Sequence, residues 1–189
     1  MKPLANFWIC LLALALWPVQ GGATEVGEYE LKTAYLYNFA LFTTWPQTWA
    51  PEAGKTMAVC TIGDDQFGTA IEQLHGRVIR GKRIVVRRDI ALDQASTCHM
   101  LYIAESEQGK LAAILEALRG TSVLTVSEAP ADSSKPAVAG GPAASNPSRC
   151  VITLFLEDKR LMFEVDSAAA RQAGLSMSSR LLYLARHVY

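Results

Sequence analysis

Cysteine carries most of the chemical potential of this chain. Four occur in 189 residues, at positions 10, 60, 98 and 150. A thiol can bond, exchange, ligate metal or attack a carbonyl, and its compartment and surroundings decide which. The first residues point to the compartment. Lys2 gives a positive start, and Phe7 to Trp17 is an apolar run too short to span a bilayer, which takes roughly 20 residues. Val19-Gln20-Gly21 and Gly21-Gly22-Ala23 put small residues where signal peptidase cuts. Residues 1–23 therefore read as a secretory signal peptide, with an uncleaved N-terminal anchor as the alternative. Cys10 sits at the start of the apolar run rather than after it, so it is not placed for lipid attachment and leaves with the signal.

Three thiols then face an oxidising environment. Cys60 and Cys98 each lie in or at the start of a buried-strand pattern, and in such a compartment a pair of this kind bonds. Closing a loop of that length stabilises a fold by roughly 3–4 kcal/mol in the chain-entropy description. The alternative is two reduced core cysteines, since free cysteine buries readily. Cys150 is left over. It is a partly buried free thiol, an intermolecular disulfide, or an exchange partner for the Cys60–Cys98 bond.

Catalysis finds little support. The redox-enzyme reading needs a C-x-x-C turn, and the chain has none. A Cys–His nucleophile would need His75, His99 or His187 beside Cys150; His99 follows Cys98, but strand neighbours point to opposite faces. There is no H-x-x-x-H and no pair of cysteines at zinc spacing, so no metal site is expected. Nothing resembles G-x-S-x-G, and Gly63-Asp64-Asp65-Gln66-Phe67-Gly68 lacks the G-x-G-x-x-G order. The expectation is a protein that is not an enzyme and carries no cofactor.

Charge narrows the partners. Without Lys2 the mature chain has 17 basic residues against 18 acidic ones, and no run of five like charges occurs. Nucleic-acid binding has no electrostatic basis. The group Arg77, Arg80, Lys82, Arg83, Arg87 and Arg88 is the densest positive patch. It reads as a solvated face, or else as a dock for an acidic protein surface or anionic lipid. No later segment has 18 uninterrupted apolar residues.

The elements that must position these groups follow from periodicity. Tyr29 to Trp45 predicts a helix with Leu31, Tyr35, Phe39 and Phe42 on its apolar face, stopped by Pro46. Strands are expected at Met57–Ile62, Ile84–Val86, Cys98–Ala104 and Val123–Val126. A helix bearing Phe67, Ala70, Ile71 and Leu74 is expected after Gly63, and another at Gln108–Leu118 ended by Gly120. Alternating strands and helices predict an α/β fold, a single domain over residues 24–189 whose mixed sheet has helices packed on its faces. Residues 128–149 hold four of the eight prolines and Gly140-Gly141, and predict a long flexible loop. Val151–Leu156 and Arg160–Val165 flank Glu157-Asp158-Lys159 as a hairpin. Two tail helices should follow, capped by Asp166 and Ser178, the second using Leu181, Leu182, Leu184, Ala185 and Val188.

Two segments carry a resemblance. The first is Tyr29-Glu30-Leu31-Lys32-Thr33-Ala34-Tyr35-Leu36-Tyr37-Asn38-Phe39 through Trp45-Pro46. The second is Phe163-Glu164-Val165-Asp166 through Ala173-Gly174-Leu175, then Ser179-Arg180-Leu181-Leu182 and Leu184-Ala185-Arg186. With the strand Val59-Cys60-Thr61-Ile62-Gly63 between them, the mature chain resembles the YfiR-type family of bacterial periplasmic proteins.

The resemblance implies regulation. YfiR-like proteins repress an inner-membrane diguanylate cyclase by binding its periplasmic region, and an outer-membrane, peptidoglycan-associated lipoprotein can sequester the repressor. Cyclic di-GMP and biofilm formation follow the freed cyclase. The family's repressors tend to form homodimers, and disulfides matter to their stability. Cys60 and Cys98 match one family disulfide. A second family pair, around the last hairpin, has only Cys150 here. An interaction patch is expected on that hairpin and the tail, with Phe163, Glu164, Leu175 and Met177 as partner-binding residues. The alternative reading of Asn38, Asp166, Ser179 and Arg180 is that they cap helices and tie the two ends together. A periplasmic small-ligand-sensing module without a cyclase partner, its cleft at the strand ends, is the competing reading.

Overall fold

A computed structural model describes residues 27–47, 54–64, 66–129 and 149–189. The expected signal peptide, Cys10 and residues 130–148 of the expected loop lie outside these residues. The chain runs through α1 (Glu28–Phe42), β1 (Thr43–Thr44), β2 (Thr56–Ile62), β3 (Val78–Ile79), β4 (Lys82–Arg87), β5 (Met100–Ile103) and α2 (Leu111–Ala117). It continues through β6 (Leu124–Glu128), β7 (Ile152–Glu157), β8 (Arg160–Val165), α3 (Ser167–Gln172), β9 (Ser176–Met177), α4 (Ser179–Leu184) and β10 (His187–Val188).

β2 is apolar on both faces, which suits a strand covered on both sides, and it lies inside the main sheet. That sheet has the order β10-β8-β7-β6-β5-β2-β4-β3. Strands β4, β2, β5, β6 and β7 are parallel, while the β3–β4 and β7–β8 pairs are antiparallel. The fold is α/β with a mixed sheet. Alternate residues feed two cores. Met57, Val59, Met100, Tyr102, Leu124 and Val126 meet α1, α3 and α4 on one face. Ala58, Cys60, Ile62, Leu101 and Ile103 meet α2 on the other.

The β7–β8 hairpin forms as expected. Its two turn residues, Asp158 and Lys159, both have positive φ (49° and 62°), the geometry that matches strand twist in a tight hairpin. Asp166 caps α3, its Oδ1 accepting from the Ala169 N–H at 2.8 Å, and Ser178 caps α4 through Leu181 N–H. Gly174, at φ 67°, closes α3 with Leu175 N–H donating to Ala170 O.

Several elements differ from expectation. The segment after Gly63 holds only a 3₁₀ turn at Ile71–Leu74. Phe67, Ala70, Ile71 and Leu74 are all buried, but Gly68 at φ 55° cannot continue a helix. α1 ends at Phe42, because the β-branched Thr43-Thr44 extends and pairs with β9. Its buried residues are Lys32, Thr33, Leu36, Phe39 and Ala40, whereas Leu31 is exposed. α4 stops at Leu184, and the segment expected to prolong it instead forms β10, parallel to β8. The outer edge of β8 needs backbone partners, and Arg186 N–H to Phe163 O and Tyr189 N–H to Val165 O supply them. Glu128, placed in the loop by sequence, is the last residue of β6.

Lys32 explains why α1 seats as it does. It is almost wholly buried, and its Nζ lies 2.8 Å from Glu128 Oε2, 2.6 Å from Glu28 Oε1 and 4.2 Å from the centre of the Tyr29 ring. Burial pushes its pKa down, but the hydrogen bonds to the two carboxylates outweigh that and hold it above the ordinary lysine value. The pair ties α1 to the end of β6. Lys32→Met leaves Glu128 uncompensated and should destabilise the fold by about 3 kcal/mol in urea unfolding at pH 7. The double variant Lys32→Met/Glu128→Leu should recover most of that loss.

Candidate interaction surface and the cysteine core

Cys60 points from β2 toward the α2 layer, and Cys98 follows the 3₁₀ turn Leu92–Thr97. The two form a disulfide with Cα atoms 6.1 Å apart, pinning that turn beneath the sheet. Cys150 belongs to the same core and is 3% exposed. Burial pushes its thiol up to about 11, partly offset by hydrogen bonds to Ser127 and Thr125. That burial fits the reading of Cys150 as a buried free thiol; an intermolecular disulfide or an exchange reaction would need the thiol to become accessible.

The four residues expected to bind a partner separate. Phe163 is buried, with its ring centroid 5.1 Å from that of Phe39 and 5.8 Å from that of Tyr35. Leu175 is buried where α3 ends. Neither presents a surface, so both are corrected to core residues. Their segments complete the seat of α1. Glu164 is half-buried in β8, opposite Thr153 and beside His187. Met177 is half-buried in β9, paired with Thr43.

The two sequence segments behind the resemblance meet in space. Tyr35 Oη donates to Leu161 O at 3.0 Å. A Cβ added at Gly174 would lie 3.2 Å from Pro46 Cγ, so Trp45-Pro46 rests directly on the Ala173-Gly174-Leu175 turn. Trp45 Nε1 donates to His99 O at 3.1 Å, extending the contact to the strand β5 region. Asn38 only bonds back to Ala34 O within α1, and Ser178 rather than Ser179 caps α4.

What the tail does expose lies beyond these segments. Tyr183 is 89% exposed and Leu184 63% exposed at the end of α4, and Val188 is exposed on β10. β10 ends the sheet and pairs with β8 on one side. Both Leu184 and Val188 fit a helical apolar stripe in sequence, but Leu184 is exposed at the last position of α4 and Val188 is exposed on β10. The basic group is largely engaged in local structure. Arg80 donates to Leu41 O, Thr43 O and Thr44 Oγ1, Arg83 to Gly76 O, and Arg88 to Gly68 O, while Arg77 covers the Tyr37 ring.

No helix among the described residues is long and apolar enough to cross a membrane, and no group of three or more His, Cys, Asp or Glu among them could hold a metal ion. For the thiols, Cys60→Ser/Cys98→Ser should lower stability by roughly 3–4 kcal/mol in urea unfolding. A thiol-specific dye should label Cys150 slowly in the native protein and one thiol per chain after denaturation. Because folding raises its pKa from 9.0, the stabilising contribution of Cys150 is fully present below pH 9 and should be lost as pH rises toward about 11. Comparing wild type with Cys150→Ala across that range in thermal melts isolates the effect.

No curated protein matches the chain significantly. Among solved structures, one titled "The Crystal Structure of the ABC domain in complex with L-Trp from Streptococcus pneumonia" is similar at 6% identity and a TM-score of 0.42, with 71% of this chain and 55% of that one covered. A family profile described as YfiR/HmsC-like matches residues 29–186, from the first turn of α1 to the arginine before β10. The chain belongs to the YfiR/HmsC-like family.

Proposed function

We propose that this chain is a periplasmic regulatory binding protein that represses an inner-membrane diguanylate cyclase, and so limits cyclic di-GMP and biofilm formation. Family membership supports the regulatory role. The leader-like start and the disulfide between Cys60 and Cys98 support the periplasm as its place of action. The observation that carries the docking surface is the exposed apolar set Tyr183, Leu184 and Val188 beside the outer edge of β10. Apolar side chains next to an open strand edge offer burial and backbone hydrogen bonds together.

Repression then works by population shift. The protein binds the inactive form of the cyclase's periplasmic region more tightly than the active form. A hundredfold bias takes roughly 2.7 kcal/mol of differential binding. Burial of a side chain such as Leu184 is worth roughly 1.5–3 kcal/mol, so a small surface suffices. An outer-membrane, peptidoglycan-associated lipoprotein would relieve repression by competing for this protein, and a homodimer through the same edge would hold it in reserve.

Deletion of the gene should raise intracellular cyclic di-GMP in a strain that carries the partner cyclase. An unchanged nucleotide level would instead favour a sensing module without a cyclase. The double variant Tyr183→Glu/Leu184→Glu should reproduce the deletion while melting within a few degrees of wild type. Full repression by that variant would place the docking surface elsewhere.

A further inference from the structure

The parallel strands change their direction of addition between β2 and β5. After β2 the chain crosses to the α1 face, where Phe67, Ile71 and Leu74 pack, and after β5 it crosses to the α2 face. Diverging connections of this kind open a crevice at the carboxyl ends of the two strands, where open α/β sheets hold ligands. A cleft of about 290 Å³ lies there, bounded by Tyr29, Asp64, Tyr102, Glu105, Ser106 and Glu128.

The crevice is built rather than incidental. Gly63 has φ 84°, and a Cβ on it would fall 2.6 Å from Ser106 Oγ and 2.6 Å from Glu107 Cγ, so the two loops approach closely only because the position is glycine. The Asp64 N–H donates to Ser106 Oγ at 2.9 Å and fixes one loop to the other. An aromatic row forms one wall: Phe67 packs edge-on against Tyr102 at 4.8 Å and against Tyr29 at 5.3 Å between centroids.

The remaining wall is acidic. Asp64, Glu105 and Glu128 border the cleft, and Lys32 behind Glu128 is already shared between Glu28 and Glu128. Among the described residues, Glu128 Oε1 is buried with no hydrogen-bond partner, which leaves it able to accept from a ligand. The carboxylates do not converge as metal ligands do, since no such group exists among the described residues. They are instead spread around a molecule-sized space with an aromatic side.

We propose that this cleft binds a small organic cation, a primary amine with an apolar or aromatic body, whose ammonium meets the acidic wall that Asp64, Glu105 and Glu128 form and whose body lies against Tyr29 and Tyr102. Charge-assisted hydrogen bonds to the carboxylates would orient it, and the tyrosines would shield it from water. The site lies apart from the tail surface, so it stands whether or not a cyclase docks there.

Isothermal titration of the mature protein with benzylamine, benzyl alcohol, benzoate and calcium chloride tests it. Benzylamine should bind at least about tenfold more tightly than the two organic controls, a difference of roughly 1.4 kcal/mol. Asp64→Asn/Glu105→Gln changes two exposed residues, so it should melt like wild type and lose benzylamine binding by about tenfold or more. The proposal is overturned if benzoate or benzyl alcohol binds as well as benzylamine, if no heat is seen with benzylamine, or if calcium alone binds. Unchanged benzylamine affinity in the double variant overturns it too.

Discussion

The seam between the first helix and the end of the chain is the constraint on which the rest of this structure depends. Tyr35 and Phe39 of α1 enclose Phe163 of β8, Trp45-Pro46 rests on the Gly174 turn, and Thr43-Thr44 pairs with Ser176-Met177. Each contact joins residues more than a hundred positions apart. Without this seam one whole face of the sheet lacks its cover, since α1, α3 and α4 share a single core with β2, β5, β6, β7 and β8. Aromatic edge contacts add about 0.5–1.5 kcal/mol each beyond the area they bury, and here they also fix the angle at which α1 crosses the sheet.

Because the seam consumes so many of the distinctive residues, the surfaces left for partners are made from less distinctive ones. The tail presents Tyr183, Leu184 and Val188 at one end of the sheet, while the crevice lies between β2 and β5. Strands β8, β7 and β6 separate β10 from β5, a distance of roughly 19 Å at ordinary strand spacing. Lys32 anchors α1 to Glu128 at the crevice, and the same helix packs against β8. The disulfide serves the opposite face, where Cys60 and Cys98 join a short turn to the sheet alongside the buried Ala95.

The hairpin, the caps at Asp166 and Ser178 and the parallel strands were legible because each rests on local chemistry: a two-residue turn, a carboxylate or hydroxyl before a helix, a run of β-branched residues. Pairing of Cys60 with Cys98 was legible from compartment and strand pattern. The burial of Lys32 was not, because a lysine on a helix reads as solvated unless its carboxylate partners, one of them 96 positions away, are known. Phe163 and Leu175 are apolar in a motif-bearing tail, and sequence cannot separate an apolar residue that docks a partner from one that docks its own helix. Leu184 and Val188 fit a helical stripe, but Val188 lies in a strand paired with β8, a long-range partner that the local pattern does not reveal.

The seam also bears on how the protein comes into being. Tyr35 and the residue that receives its hydroxyl are 126 positions apart, so the first helix is complete long before its seat exists. A chain delivered N-terminus first carries Tyr35 and Phe39 without their Phe163 partner while β2 through β7 emerge, and the seam closes only when β8 arrives. Contacts so distant in sequence slow folding and prolong the exposure of apolar surface. Truncation anywhere before Arg160 removes the β8 side of that helix's seat, so fragments of this chain are candidates for chaperone retention and proteolysis rather than for partial function.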